Sequence, residues 1–83
     1  MTKDRIKCYD AGKKVADRYT VVFMDRPERT GKLYEALSMS AEPFHPLGIG
    51  QHCSAAMGGH LGLRITLNSM PKGCQLLVAR CLE

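Results

Sequence analysis

Tryptophan is absent, and two phenylalanines and three tyrosines are all the large aromatic residues in a chain of 83. A core so poor in rings must rest on Leu, Ile, Val, Met and Cys, with the five methionines acting as soft gap-fillers. Long apolar runs are missing too. No stretch of about 18 apolar residues occurs, so no membrane-spanning helix is expected. The start, MTKDRIKCYD, has neither an apolar h-region nor a cleavage pattern, which excludes a signal peptide and predicts a cytoplasmic protein.

Acidic residues are lacking from Pro43 to Leu82, where only Arg64, Lys72 and Arg80 carry charge. Before residue 41 the basic residues are interleaved with Asp4, Asp10, Asp17, Asp25, Glu28 and Glu35. The net charge of +4 and pI near 9.0 permit an acidic or nucleic-acid partner. A phosphate-tracking groove normally needs clustered Lys and Arg, and no such cluster is present. Nucleic-acid binding is therefore the lesser expectation.

At 9.2 kDa the chain has room for a single small domain, residues 1–83. Hydrophobic and charged fractions of 45% and 24% match a globular protein. A reducing cytoplasm keeps Cys8, Cys53, Cys74 and Cys81 as free thiols, which favours packing or metal roles over disulfides.

Alternation at Ile6 and Cys8 predicts a strand over residues 5–9. The β-branched and aromatic run Tyr19–Met24 predicts a second over 18–24, apolar on both faces and therefore central. Leu33 and Leu37 have helical spacing, so a short helix is expected over 32–39, packed at the sheet edge. Leu61, Leu63, Ile65 and Leu67 alternate with Gly62, Arg64, Thr66 and Asn68, predicting a half-buried strand over 61–67. Ser69 can cap a final helix that carries Pro71 in its first turn. Cys74, Leu77, Val78, Cys81 and Leu82 form its apolar stripe, which makes Cys74 and Cys81 core residues, like Cys8. The expected fold is α+β: a mostly antiparallel sheet of about three strands, covered on one face by the C-terminal helix.

Between the short helix and the last strand lies AEPFHPLGIGQHCSAAMGGHLG, residues 41–62, which has no helix or strand period and holds all three histidines. A connection of this length usually carries function or is disordered. Gly48, Gly50, Gly58 and Gly59 permit left-handed or otherwise restricted turns, so the loop can be ordered by its own backbone with the imidazoles as hydrogen-bonding staples. Zinc is the alternative. His45, His60 and one of His52 or Cys53 could supply ligands in a folded-back loop, and a metal would help a small core. Catalysis is weakly supported, because His52 and Cys53 are sequence neighbours and only Glu42, at the margin, could orient a base. The turn GIG also lacks the pattern of a phosphate-binding fingerprint.

Segments DRYTVVFMDRPER (17–29), ALSMSAEPFHPLGIGQH (36–52), HLGLRITL (60–67) and MPKGCQLLV (70–78) resemble a family of small bacteriophage and prophage proteins without an assigned activity. The resemblance spans most of the chain in order, although Ser38 replaces a glycine and the approach to the last helix, through Ser69, departs from the pattern. It implies a phage or prophage origin, hence a bacterial host cytoplasm, and transfers no catalytic residues. The expected function is a non-enzymatic binding module that docks on a host or phage macromolecule. A zinc-binding module using His45, His52, Cys53 and His60 is the alternative.

Overall fold

The computed structural model of the chain describes residues 6–29, 33–56 and 59–82. In chain order these form β1 (Ile6–Asp10), β2 (Tyr19–Pro27), β3 (Tyr34–Met39), β4 (Gly50–Ala55), β5 (Leu63–Ile65) and the helix α1 (Lys72–Leu82). Single 3-10 turns lie at Gly59–Leu61 and Leu67–Ser69. The strands make one sheet of order β4-β3-β2-β1-β5, antiparallel at every junction. The α+β class and the C-terminal helix agree with the sequence, but the sheet has five strands where about three were expected.

β2 is central because both of its faces are apolar. Tyr19, Val21 and Phe23 point to one side and meet Ile6, Cys8, Leu37, Met39, Met70, Cys74 and Val78 in the main core. Val22 points to the other side, where Tyr9, Ala36 and Ala55 complete a second buried cluster. The strand outruns its neighbour: β1 pairs only with residues 19–23, so Pro27 lies beyond that ladder, where its missing N–H breaks no bond to β1. A register shift between Val22 and Pro27 adjusts the other side to β3.

The helix expected over 32–39 is instead strand β3, and Lys32 lies outside the described residues. Ala36, Leu37, Ser38 and Met39 are all buried, with Leu37 and Met39 facing α1 and Ala36 and Ser38 facing away. A helix would leave one side of that run in solvent and leave one edge of β2 without a ladder. A helix of two turns is marginal alone, so the unpaired edge of β2 decides the conformation.

Strand 61–67 is also corrected, to the three residues of β5 between two 3-10 turns. Gly62 is the reason. It adopts a φ of +110°, which breaks the alternation, so Leu61 packs into the second cluster while Ile65 and Leu67 pack against the main core. The backbone at Gly62 also approaches β1 so closely that a Cβ would run into the Asp10 carbonyl and the Ala11 Cα. Strand 5–9 is found as Ile6–Asp10, with Arg5 outside the described residues, and strand 18–24 as Tyr19–Pro27.

The β1–β2 hairpin is closed by Asp10, whose carboxylate accepts from Arg18 Nε at 2.7 Å and Nη2 at 2.8 Å and from the Gly12 amide at 2.9 Å. The Arg18 hydrogen bonds hold this carboxyl below its ordinary pKa. Ser69 does not cap α1; its hydroxyl donates to the Thr66 carbonyl and its Oγ accepts from the Thr66 amide, closing the 3-10 turn. The carbonyl of Pro71 takes a bond from the Gln75 amide, one residue ahead of the assigned helix. Cys74 and Val78 are its buried residues, flanked by Leu77, Cys81 and Leu82.

Replacing Gly62 with alanine combines an unfavourable φ with a backbone collision, so Gly62→Ala is expected to destabilise the fold by more than about 1 kcal/mol. Chemical denaturation checks this, and an unchanged midpoint would contradict the assigned crossing at β5.

Candidate functional site

The chain from Ser40 to Ile49 is an ordered loop, shorter than the one expected because residues 50–55 are strand. Its two ends are tied together: the Ser40 amide donates to the Ile49 carbonyl and the Ile49 amide donates to Ser40 Oγ, each at 2.9 Å. Inside, the His45 amide donates to the Glu42 carbonyl at 3.1 Å and the Gly48 amide to the His45 carbonyl at 2.7 Å. The imidazole serves the same turn, with Nδ1 accepting from the Leu47 amide at 3.0 Å. That bond places the proton of the neutral ring on Nε2.

Positive φ is found among the described residues only at Gly12 and Gly62, so the expected left-handed glycines of this loop are not its device. Gly48 is needed for closeness instead, since a Cβ there would strike the Glu42 carbonyl. Gly58 lies outside the described residues.

The helix secures the loop from behind. Cys74 Sγ donates to the Ser40 carbonyl at 3.2 Å, Pro43 lies against Gly73, and the Arg80 guanidinium sits 5.9 Å from the Phe44 ring centroid. A shallow depression of about 230 Å³, lined by Ser40, Glu42, His45, Leu47 and Gly48, marks the outer side. Phe44 is 52% exposed and Leu47 88%. An ordered loop thus projects two large apolar side chains into solvent.

The four expected metal ligands are spread out. His45 belongs to this loop, His52 and Cys53 to β4, and His60, exposed, to the 3-10 turn Gly59–Leu61. Consecutive strand residues point to opposite faces, so His52 shares the helix side with its ladder partner Leu37, whereas Cys53 lies on the far side, 3.4 Å from Ser38 Oγ. Among the described residues no three His, Cys, Asp or Glu side chains gather where they could hold a metal ion. His52 does have a neighbour that the sequence did not suggest: Cys81 Sγ lies 3.9 Å from Nε2.

Cys81 also sits beside a cation. Arg26 donates to the Cys81 carbonyl at 2.9 Å, while its guanidinium lies 3.8 Å from Glu35 and 5.0 Å from the Phe23 centroid. A positive group at the end of a helix offsets the negative end of its dipole. The apolar stripe predicted Cys81 to be a core residue; it is half-buried, packed against the margin of the main core, and its partner His52 could not be foreseen because β4 had no strand assignment.

The cysteines divide by burial. Burial pushes both the Cys8 and the Cys74 thiol up to about 11, opposed at Cys8 by the charge of Arg64. Both stay protonated at neutral pH and act as packing groups, Cys74 with a hydrogen bond to give. Cys53 and Cys81 are half-buried. No helix is long and apolar enough to cross a membrane among the described residues. No protein-family model, curated protein or solved structure matches the chain.

Alkylation of the reduced native protein near neutral pH should label Cys53 and Cys81 well before Cys8 and Cys74, which react only after unfolding. Peptide mass spectrometry over a time course checks the order. Early labelling of Cys74 would contradict its place under the loop.

Proposed function

We propose that the chain is a non-enzymatic binding module, a phage or prophage accessory protein that docks on a host or phage protein through the loop 40–49. The observation that carries this reading is the combination of Leu47 at 88% exposure with a backbone bonded at Ser40, His45, Gly48 and Ile49. Single exposed apolar side chains, such as Leu63 and Leu76, are ordinary on a protein surface, whereas two on one ordered loop point to contact. Here the turn fixes the backbone that carries Leu47, and Phe44 stands three residues away on the same loop. Pre-ordering lowers the entropy lost when the side chains are buried by a partner, which is how a small interface gains affinity.

The neighbourhood supports the same reading. Binding residues concentrate on loops positioned by a rigid scaffold, and this loop is positioned by β3, β4 and α1 together. His45 holds the turn through Nδ1, so its role is to shape the surface. The proposed phage origin rests on the resemblance of residues 17–29, 36–52, 60–67 and 70–78, of which FHPLGIGQH and HLG are the part around the loop.

The test is capture of a partner in a fixed ratio by tagged protein from its bacterial host, followed by loop variants. Leu47→Ala is expected to weaken capture at least about tenfold with unchanged melting, as for a central apolar anchor, and Phe44→Ala to weaken it as well while lowering the melting temperature slightly through its lost packing on α1. Leu76→Ala, on the exposed side of α1, should leave it intact. Equal capture by all three variants would remove the loop from the interface.

A further inference from the structure

β4 is one edge of the sheet, and its ladder has a definite phase. The Ser40 amide bonds the Ile49 carbonyl while the Ile49 amide turns the same way to Ser40 Oγ, which puts these two residues in the hydrogen-bonded phase just ahead of the β3–β4 ladder. Such pairs alternate along antiparallel strands. Ile49, Gln51, Cys53 and Ala55 therefore turn their N–H and C=O groups toward β3, and Gly50, His52 and Ser54 turn theirs to the open edge. Edge strands are commonly protected by charged residues, proline or bulges. The sequence GQHCSA has no charge and no proline, and its register with β3 is unbroken.

The middle outward residue is His52, whose Nε2 lies 3.9 Å from Cys81 Sγ on the helix side. Zinc holds thiolate sulfur at about 2.3 Å and imidazole nitrogen at about 2.0–2.1 Å, so two ligands of a tetrahedral site are about 3.6 Å apart. The observed pair needs to close by only a few tenths of an ångström. One copy supplies these two ligands, and among the described residues no third joins them.

We propose that His52 and Cys81 are half of a Cys2His2 zinc site, completed by the same two residues of a second copy paired antiparallel along β4. A two-fold axis at His52 sets the two His52 residues opposite each other and each Gly50 opposite a Ser54. Every outward N–H and C=O of these residues then has a partner. In a hydrogen-bonded pair the α-carbons are about 5.5 Å apart. Both imidazoles leave the ten-stranded sheet on the helix side, between the two Cys81 thiols. Each thiol releases its proton to solvent and forms a sulfur–zinc bond, and two thiolates balance the divalent charge. Arg26, bound to the Cys81 carbonyl, offsets the helix end that would otherwise oppose a thiolate. This inference is independent of the docking loop, which contributes no ligand.

Adding zinc(II) to the reduced, metal-free full chain tests it, read by light scattering and elemental analysis. The expected result is a doubling of mass at one zinc per two chains, reversed by a chelator. His52→Ala and Cys81→Ser should each abolish it, while His45→Ala, Cys53→Ser and His60→Ala retain it. Because Cys81 is half-buried, the exposed His52→Ala decides the matter if Cys81→Ser melts early. Ser54→Pro, which removes an outward N–H and leaves both ligands, should weaken the dimer. Zinc bound one per chain to a monomer, absence of a zinc-dependent dimer, or a zinc dimer in His52→Ala would overturn the proposal.

Discussion

The structure depends on burying β2 on both faces and along both edges. Val21, Val22 and Phe23 have no solvent exposure, and no single neighbour could cover them. One face needs α1, the other needs the cluster around Tyr9 and Ala36, and the two edges need β1 and β3. Once β3 is recruited as a strand, its far edge is itself open, and β4 follows. The loop 40–49 then exists as a β3–β4 connection, and its place beside the helix is settled by Cys74 and Gly73. The proposed docking surface is thus a consequence of how one apolar strand is covered.

The same requirement explains what could be read from residues alone. β2 announces itself by composition, and α1 by a stripe at helical spacing that the structure keeps, including buried Cys74. β3 was misread because Leu33 and Leu37 satisfy a helix period, while the cause of its strand conformation lies outside the segment, in the bare edge of β2. β4 was hidden by being an edge strand. Gln51, His52 and Ser54 are exposed, so only Cys53 and Ala55 carry the alternation, too little to separate from a loop.

The site was legible in part for similar reasons. Of the three histidines expected to staple the loop, His45 does so, accepting a hydrogen bond within its own turn. Gly48 works by permitting close approach, which composition cannot distinguish from a left-handed turn. The proximity of His52 to Cys81 was invisible, because it needs both the strand direction of β4 and the docking of the last helical turn.

Both functional readings need β4 as a strand bound to β3, and the proposed zinc dimer needs its outer edge open as well. Amide hydrogen exchange in metal-free protein, resolved by residue, tests this most directly. The account predicts slow exchange at Gln51 and Cys53, whose amides face β3, and fast exchange at His52 and Ser54, whose amides face solvent. Uniformly fast exchange from residue 50 to residue 55 would contradict it.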